Sequence, residues 1–140
     1  MSGWPVGVGR RVLHSVDSTM AEGARIAPSL TGPEWVLALE QTAGHGRRGR
    51  AWSSPNGNFF ASLVMRPEGP PSASALRSFV AALALRDAFV AATGRAEAFK
   101  LKWPNDVLLN GGKVAGILLE SVGAGQGVTH LIIRIVVNLV

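Results

Sequence analysis

The stretch "LKWPNDVLLNGGKVAGILLE", residues 101–120, is built to fold back on itself. Between "DVLL" (106–109) and "KVAGILLE" (113–120) stand Asn110, Gly111 and Gly112, residue types that accept the positive φ of a tight hairpin turn. Both flanks are short apolar runs, so two adjacent antiparallel strands are predicted here. Two lysines interrupt the pattern: Lys102 before the Trp-Pro-Asn-Asp segment and Lys113 just after the turn. A lysine within an apolar strand is costly to bury without an anionic partner. Read singly, each also fits a side chain that carries its ammonium out to solvent along an apolar stem. Asn105 and Asp106, read alone, are ordinary turn chemistry. Gly116, inside the second strand, allows a ligand or another backbone to come close.

Working outward, "AFKLKW" (98–103) and "THLIIRIVVNLV" (129–140) predict further strands. Upstream, Leu76, Phe79, Val80, Leu83, Ala84, Phe89 and Val90 recur at helical spacing over 73–92, and Gly94 stops the helix. The segment "GPPSAS" (69–74) leads into it as a turn-rich linker. Nearer the N-terminus, 10–16, 34–41 and 58–66 read as strands. Asp17 or Ser18 is positioned to cap a short helix over 19–27. No repeat is present. The pattern is a mixed α/β layer, one sheet with a long helix packed on it, in one domain spanning 1–140.

The composition narrows the function classes. Hydrophobic residues are 47% and charged residues 16% of the chain, too apolar for a disordered segment. There is no cysteine, which excludes disulfides and thiolate chemistry, and three histidines make a poor basis for a structural zinc site. No apolar run reaches membrane-spanning length and no leader-like apolar segment opens the chain, so a cytoplasmic protein without a membrane partner is expected. The net charge of +5 is concentrated at Arg47, Arg48 and Arg50, with Arg10 and Arg11, and suggests an anionic partner.

Those three arginines lie in "GHGRRGRAWSSPNG", residues 44–57. Gly44, Gly46 and Gly49 permit backbone conformations closed to other residues and let main-chain N–H groups approach a ligand. Arginine offers a permanent charge and a planar fork of donors matched to phosphate and carboxylate oxygens. Trp52 is suited to cover a purine face. The loop by itself reads equally well as a solvated basic turn or as a nonspecific nucleic-acid contact.

Taken together, "DST" (17–19), "EQTAGHGRRGRAWSSPNG" (40–57), "KWPNDV" (102–107) and "KVAGILLE" (113–120) resemble the biotin protein ligases, in that family's order and spacing. The resemblance runs from about Val12 to Asn138. It implies an α+β fold, a mixed, mainly antiparallel sheet with helices packed on it, forming a biotin/lipoate ligase-like catalytic domain. That domain condenses biotin with ATP to biotinyl-5′-AMP and passes the biotinyl group to a lysine of a biotin carboxyl carrier domain. Mg²⁺ is expected to accompany the nucleotide, with no metal site of the protein's own. Too few residues precede Val12 for the DNA-binding segment of some members, so the non-repressor type is expected. So is an incomplete C-terminal side, without the small β-barrel cap. No specific nucleic-acid partner is implied, and a homodimer is compatible. Lipoate or octanoate ligases and transferases share the fold and stand as the alternative, with a noncatalytic basic nucleic-acid module as the reading from another class.

By the same resemblance, Lys113 and Arg47 are the catalytic residues. Lys113 touches both the biotin carboxylate and the α-phosphate, and Arg47 closes over them. The biotin site comprises Ser18, Thr19, Gln41, Gly44, Arg47, Lys113 and Gly116. The ATP and adenylate site comprises Arg47, Arg48, Trp52, Lys102, Asn105, Asp106 and Lys113. Four positions depart from the family's pattern: His45 stands for an arginine, Met20 for an asparagine, and Arg134 and Val136 for glycines.

Overall fold

The computed structural model describes residues 3–51, 56–124 and 127–139, with the backbone alone at positions 47, 71, 124, 127 and 128. The hairpin predicted at 106–120 is its clearest local feature. Strand β5 (Asp106–Leu109) turns through Asn110 (φ 50°) and Gly111 (φ 87°) into β6 (Gly112–Ala124). Two consecutive positive φ values are the requirement of the two-residue turn that matches strand twist.

The other strands are β1 (Gly9–Leu13), β2 (Glu34–Ala38), β3 (Phe59–Met65), β4 (Phe99–Lys102) and β7 (Gly127–Val137). They form one seven-stranded sheet in the order β1-β2-β3-β7-β6-β5-β4. Only β1 and β2 pair in parallel; every other neighbour is antiparallel. A parallel pair needs a crossover rather than a hairpin. Helix α1 (Thr19–Ile26) lies in that connection and packs on β3 and β7. The strand predicted over 10–16 ends at Leu13, and Val16 makes only an isolated bridge to Gln41.

The long helix is interrupted. A short α2 (Pro71–Ala75) precedes α3 (Arg77–Thr93), and Gly94 in the left-handed region (φ 72°) ends it, its N–H donating to the Val90 carbonyl. The helix is apolar on more than one side, so spacing alone leaves its rotation open. Arg86 helps fix it: Nε donates to the Phe99 carbonyl at 3.0 Å and Nη2 to the Ala96 carbonyl at 2.9 Å. Ala82, Leu85, Phe89 and Val90 therefore face the sheet, and Phe89 stacks on Phe99 at 5.1 Å. Leu76, Val80 and Leu83 are left exposed. Phe79 stacks at 4.4 Å on Trp103, which is itself exposed.

Strand β7 sits between β3 and β6, and its side chains alternate between two surroundings. Leu131, Ile133, Ile135 and Val137 join the core beneath α3, with Ile117 and Ala115 of β6. Ile132 faces α1, in a smaller cluster with Met20, Ala27 and Val64. Arg134 and Val136 share the Ile132 side by strand alternation. Register places Arg134 between Ser62 and Leu118, and Val136 between Phe60 and Gly116.

Candidate active site

On this α1 side lies a cavity of about 670 Å³. Its walls come from two separated segments. The glycine-rich loop contributes Gly46, Arg48, Arg50 and Ala51. The hairpin contributes Asn105, Asp106, Lys113, Gly116 and Ile117, and Arg134 and Val136 of β7 lie between the two.

Lys113 reaches this cavity because of a register shift. The β5–β6 pairing runs Asp106↔Gly116 and Val107↔Ala115, then skips to Leu108↔Lys113. One extra residue on β6 is a β-bulge, and it reverses the alternation beyond it. Residues 113 and 116 would otherwise point to opposite faces. With the bulge, the Lys113 ammonium lies 3.2 Å from the Asp106 carboxylate. Gly116 makes the crossing possible: a Cβ there would meet Lys113 Cε at 3.2 Å and Nζ at 3.3 Å. The Lys113 side chain itself approaches the space expected for a ligand.

Asn105 secures the other end of the turn. Its Nδ2 donates to the Ile117 carbonyl at 2.7 Å, and the Ile117 N–H donates to the Asn105 carbonyl at 3.0 Å. Lys102, which pairs in register with Asp106, is exposed and does not line the cavity.

The loop folds on itself. Gly46 N–H donates to the Arg50 carbonyl at 2.6 Å, His45 bridges Ala51, and Arg48 adopts the left-handed region (φ 60°, ψ 29°) within the tight turn Arg47–Gly49. The side chain of Arg47 and all of Trp52 lie outside the described residues.

Ser18, Thr19, Gln41 and Gly44 are buried and do not line the cavity. Ser18 Oγ accepts from the Ala21 N–H at 3.0 Å and caps α1. Thr19 N–H donates to Gln41 Oε1 at 2.9 Å, and Thr19 Oγ1 shares a 2.8 Å hydrogen bond with Ser62 Oγ. These residues join α1, the start of the loop and β3 in one hydrogen-bonded unit. Asp17 is held by Arg25, with contacts of 2.6 and 2.9 Å. That pairing, with the Ser18 N–H, lowers its pKa to about 2. Met20 is core, packed with Val64 and Ile132.

Sequence reasoning missed Ser62, which no motif marks, and did not place Arg50 in the site; Arg134 and Val136, singled out there as replacements of the family's glycines, line the cavity. The alternation of "LIIRIVV" carries the signal for the last two, since one strand cannot present Ile133 and Arg134 to the same face. Arg10 and Arg11 are engaged elsewhere: Arg10 lies over Trp4 and Arg11 pairs with Glu34 at 2.8 Å. Among the described residues no group of three or more His, Cys, Asp or Glu gathers to hold a metal ion, and no helix is long and apolar enough to cross a membrane.

Residues 8–138 match the Biotin/lipoate A/B protein ligase family. The chain belongs to this family. It is 59% identical over 128 residues to the biotin–[acetyl-CoA-carboxylase] ligase of Paracoccus denitrificans, covering 91% of this chain and 53% of that protein. It is 34% identical to the bifunctional ligase/repressor BirA of Escherichia coli, covering 91% and 40%. The fold agrees with the Leishmania major biotin protein ligase in complex with biotinyl-5-AMP (TM-score 0.82, 31% identity, 93% of this chain and 57% of that one). It also agrees with the Aquifex aeolicus enzyme in complex with biotin and ATP (TM-score 0.76, 30% identity, 93% and 52%). The chain spans about half the length of the curated ligase of Paracoccus.

Proposed function

We propose that the chain carries the adenylating site of a ligase that condenses biotin with ATP and passes biotin to a carrier lysine. The observation that carries this reading is the cavity where Arg48, Arg50 and Lys113 converge, in a chain 59% identical to a biotin–[acetyl-CoA-carboxylase] ligase. In the first half, a carboxylate oxygen of biotin attacks the α-phosphorus of ATP, supplied as its magnesium complex. The bond from that phosphorus to the oxygen bridging the β-phosphate breaks, and pyrophosphate leaves. In the second half, the ε-amine of the carrier lysine attacks the acyl carbon, loses its proton to solvent and displaces AMP. The carrier is a biotin carboxyl carrier domain of the acetyl-CoA carboxylase type.

Two anions must meet in the first half, and fixed positive charge lowers that barrier. Lys113 is assigned the central contact with both, steadied by Asp106. Arg47 and Arg48 close over the phosphates from the loop, and Trp52 covers the adenine. Lys102, Asn105 and Asp106 organise the nucleotide end. Gly116 lines the biotin slot, and Gly44, at the start of the loop and outside the ligand-free cavity, joins it when biotin is bound. Ser18, Thr19 and Gln41 face the ureido ring when biotin is bound.

The test is incubation of the chain with biotin, α-labelled ATP and a biotin carboxyl carrier domain, with lipoate in a parallel arm. Biotinyl-AMP followed by labelled carrier is expected. Lipoyl-AMP alone would move the assignment to the lipoate branch, and a folded chain forming neither adenylate would overturn it.

A further inference from the structure

Arg134 is a cavity cation to which this reading gives no task. Arg134 projects from the middle strand of the sheet and is only 7% exposed. Among the described residues no carboxylate forms an ion pair with it and its Nε has no hydrogen-bond partner; Glu120 acts on it only through space. Its Nη1 donates to the carbonyl of His45, 89 residues away in sequence. A buried guanidinium with no carboxylate in direct contact is costly, so a hydrogen bond to it has structural consequences.

The loop it reaches is otherwise poorly supported. Gly46 and Arg48 line the 670 Å³ cavity on one side. On the other they line a second hollow of about 490 Å³, together with His45, Gly49, Leu118 and Glu120. Open space thus flanks the loop on both sides. Its own contacts, Gly46 to Arg50 and His45 to Ala51, close it on itself without joining it to the sheet. Among the described residues, the Arg134–His45 hydrogen bond is what ties residues 44–51 to β7.

We propose that Arg134 is a positioning residue, a latch that holds the glycine-rich loop down over the ligand-free cavity. The latch acts through the loop and does not depend on which acid the cavity takes. A charge-assisted hydrogen bond to a carbonyl is stronger than a neutral one and suited to this task. Removing it shifts the loop toward its open form, while the sheet and α3 keep their own contacts.

The experiment measures amide hydrogen exchange in the ligand-free chain, comparing residues 44–51 with α3, in the parent and in Arg134→Met. Methionine fills similar space without charge, so global stability is expected to hold. Loop exchange should rise about tenfold or more, a shift of about 1.4 kcal/mol. Trypsin cleavage after Arg48 and Arg50 should rise in step, while α3 exchange and Tm stay unchanged. Arg134→Lys, which keeps a charged donor, should recover most of the protection. Loop exchange equal to the parent's, or rising only in step with α3, overturns the proposal. So does an Arg134→Lys variant as open as Arg134→Met. Should the methionine variant not fold, the parent alone decides. Its residues 44–51 must exchange more slowly than the exposed Glu68 and Gly69, and equal rates overturn the latch.

Discussion

The two faces of β7 are made by one strand and differ in almost every respect. Toward α3 the strand presents Leu131, Ile133, Ile135 and Val137, packed with Ile117, Ala115 and Phe99. Toward α1 and the loop it presents Ile132, Arg134 and Val136, beside Ser62, Leu118 and Gly116. The first face is apolar and close-packed, as a core must be. The second carries a buried guanidinium, a hydroxyl bonded to Thr19 and a glycine over which a lysine lies. On the proposed function, the chemistry falls on the second side, although Ile132 there is core as well. Substitutions on the two sides should then separate in their effects.

The largest separation is expected at Lys113. Lys113→Ala should lower the rate of biotinyl-AMP formation by roughly two to three orders of magnitude, about 2.7–4 kcal/mol of transition-state stabilisation. Its side chain is partly exposed, so melting should change little. A folded Lys113→Ala protein making adenylate at the parent rate would break the assignment. Next is Gly116→Ala, whose new methyl would stand 3.2 Å from Lys113 Cε and push the ammonium away from Asp106. Displacing a catalytic group by about an ångström can cost up to ~100-fold. A loss near tenfold in single-turnover adenylation is expected, with little change in urea midpoint, and unchanged turnover would show that the ammonium need not lie across Gly116. The smallest effect belongs to the other face. Ile133→Val should cost about 0.5–1.5 kcal/mol in urea unfolding. Adenylate formed per folded molecule should not move, and a selective loss of activity there would show the two faces to be coupled.

Local signals in the sequence and register set by distant strands divide what could be read. The hairpin at Asn110–Gly111, the stop at Gly94 and the basic loop were legible, because each rests on residues adjacent in the chain and on backbone preferences they carry themselves. One sheet with a long helix packed on it followed from the pattern, and its mainly antiparallel pairing came with the family resemblance. The bulge opposite Val107 and Leu108 was not legible, although it decides which face Lys113 occupies, because it exists only in the pairing of two strands. Ser62 was missed for the same reason: its partner is Thr19, 43 residues away. The rotation of α3 depends on Arg86 finding carbonyls near β4, so helical spacing alone could not tell Leu85 from Leu83. Thr19 and Gln41 were picked out by resemblance; what the structure adds is that they bond to each other.

The placement of β7 also bears on how the chain is made. A strand late in the sequence occupies the middle of the sheet, and β3 meets it through pairs such as Met65 with Leu131. On the ribosome, β1, β2 and β3 emerge with one long edge of β3 unpaired until β7 follows. At about 5–20 residues per second, that interval lasts several seconds. During it, Phe59, Phe60, Leu63 and Val64 stand on an open edge of the kind that recruits other chains. The long-range closure is also the slow step expected of such a topology. The exposure of that edge depends on when β7 arrives and not on the strength of the finished core.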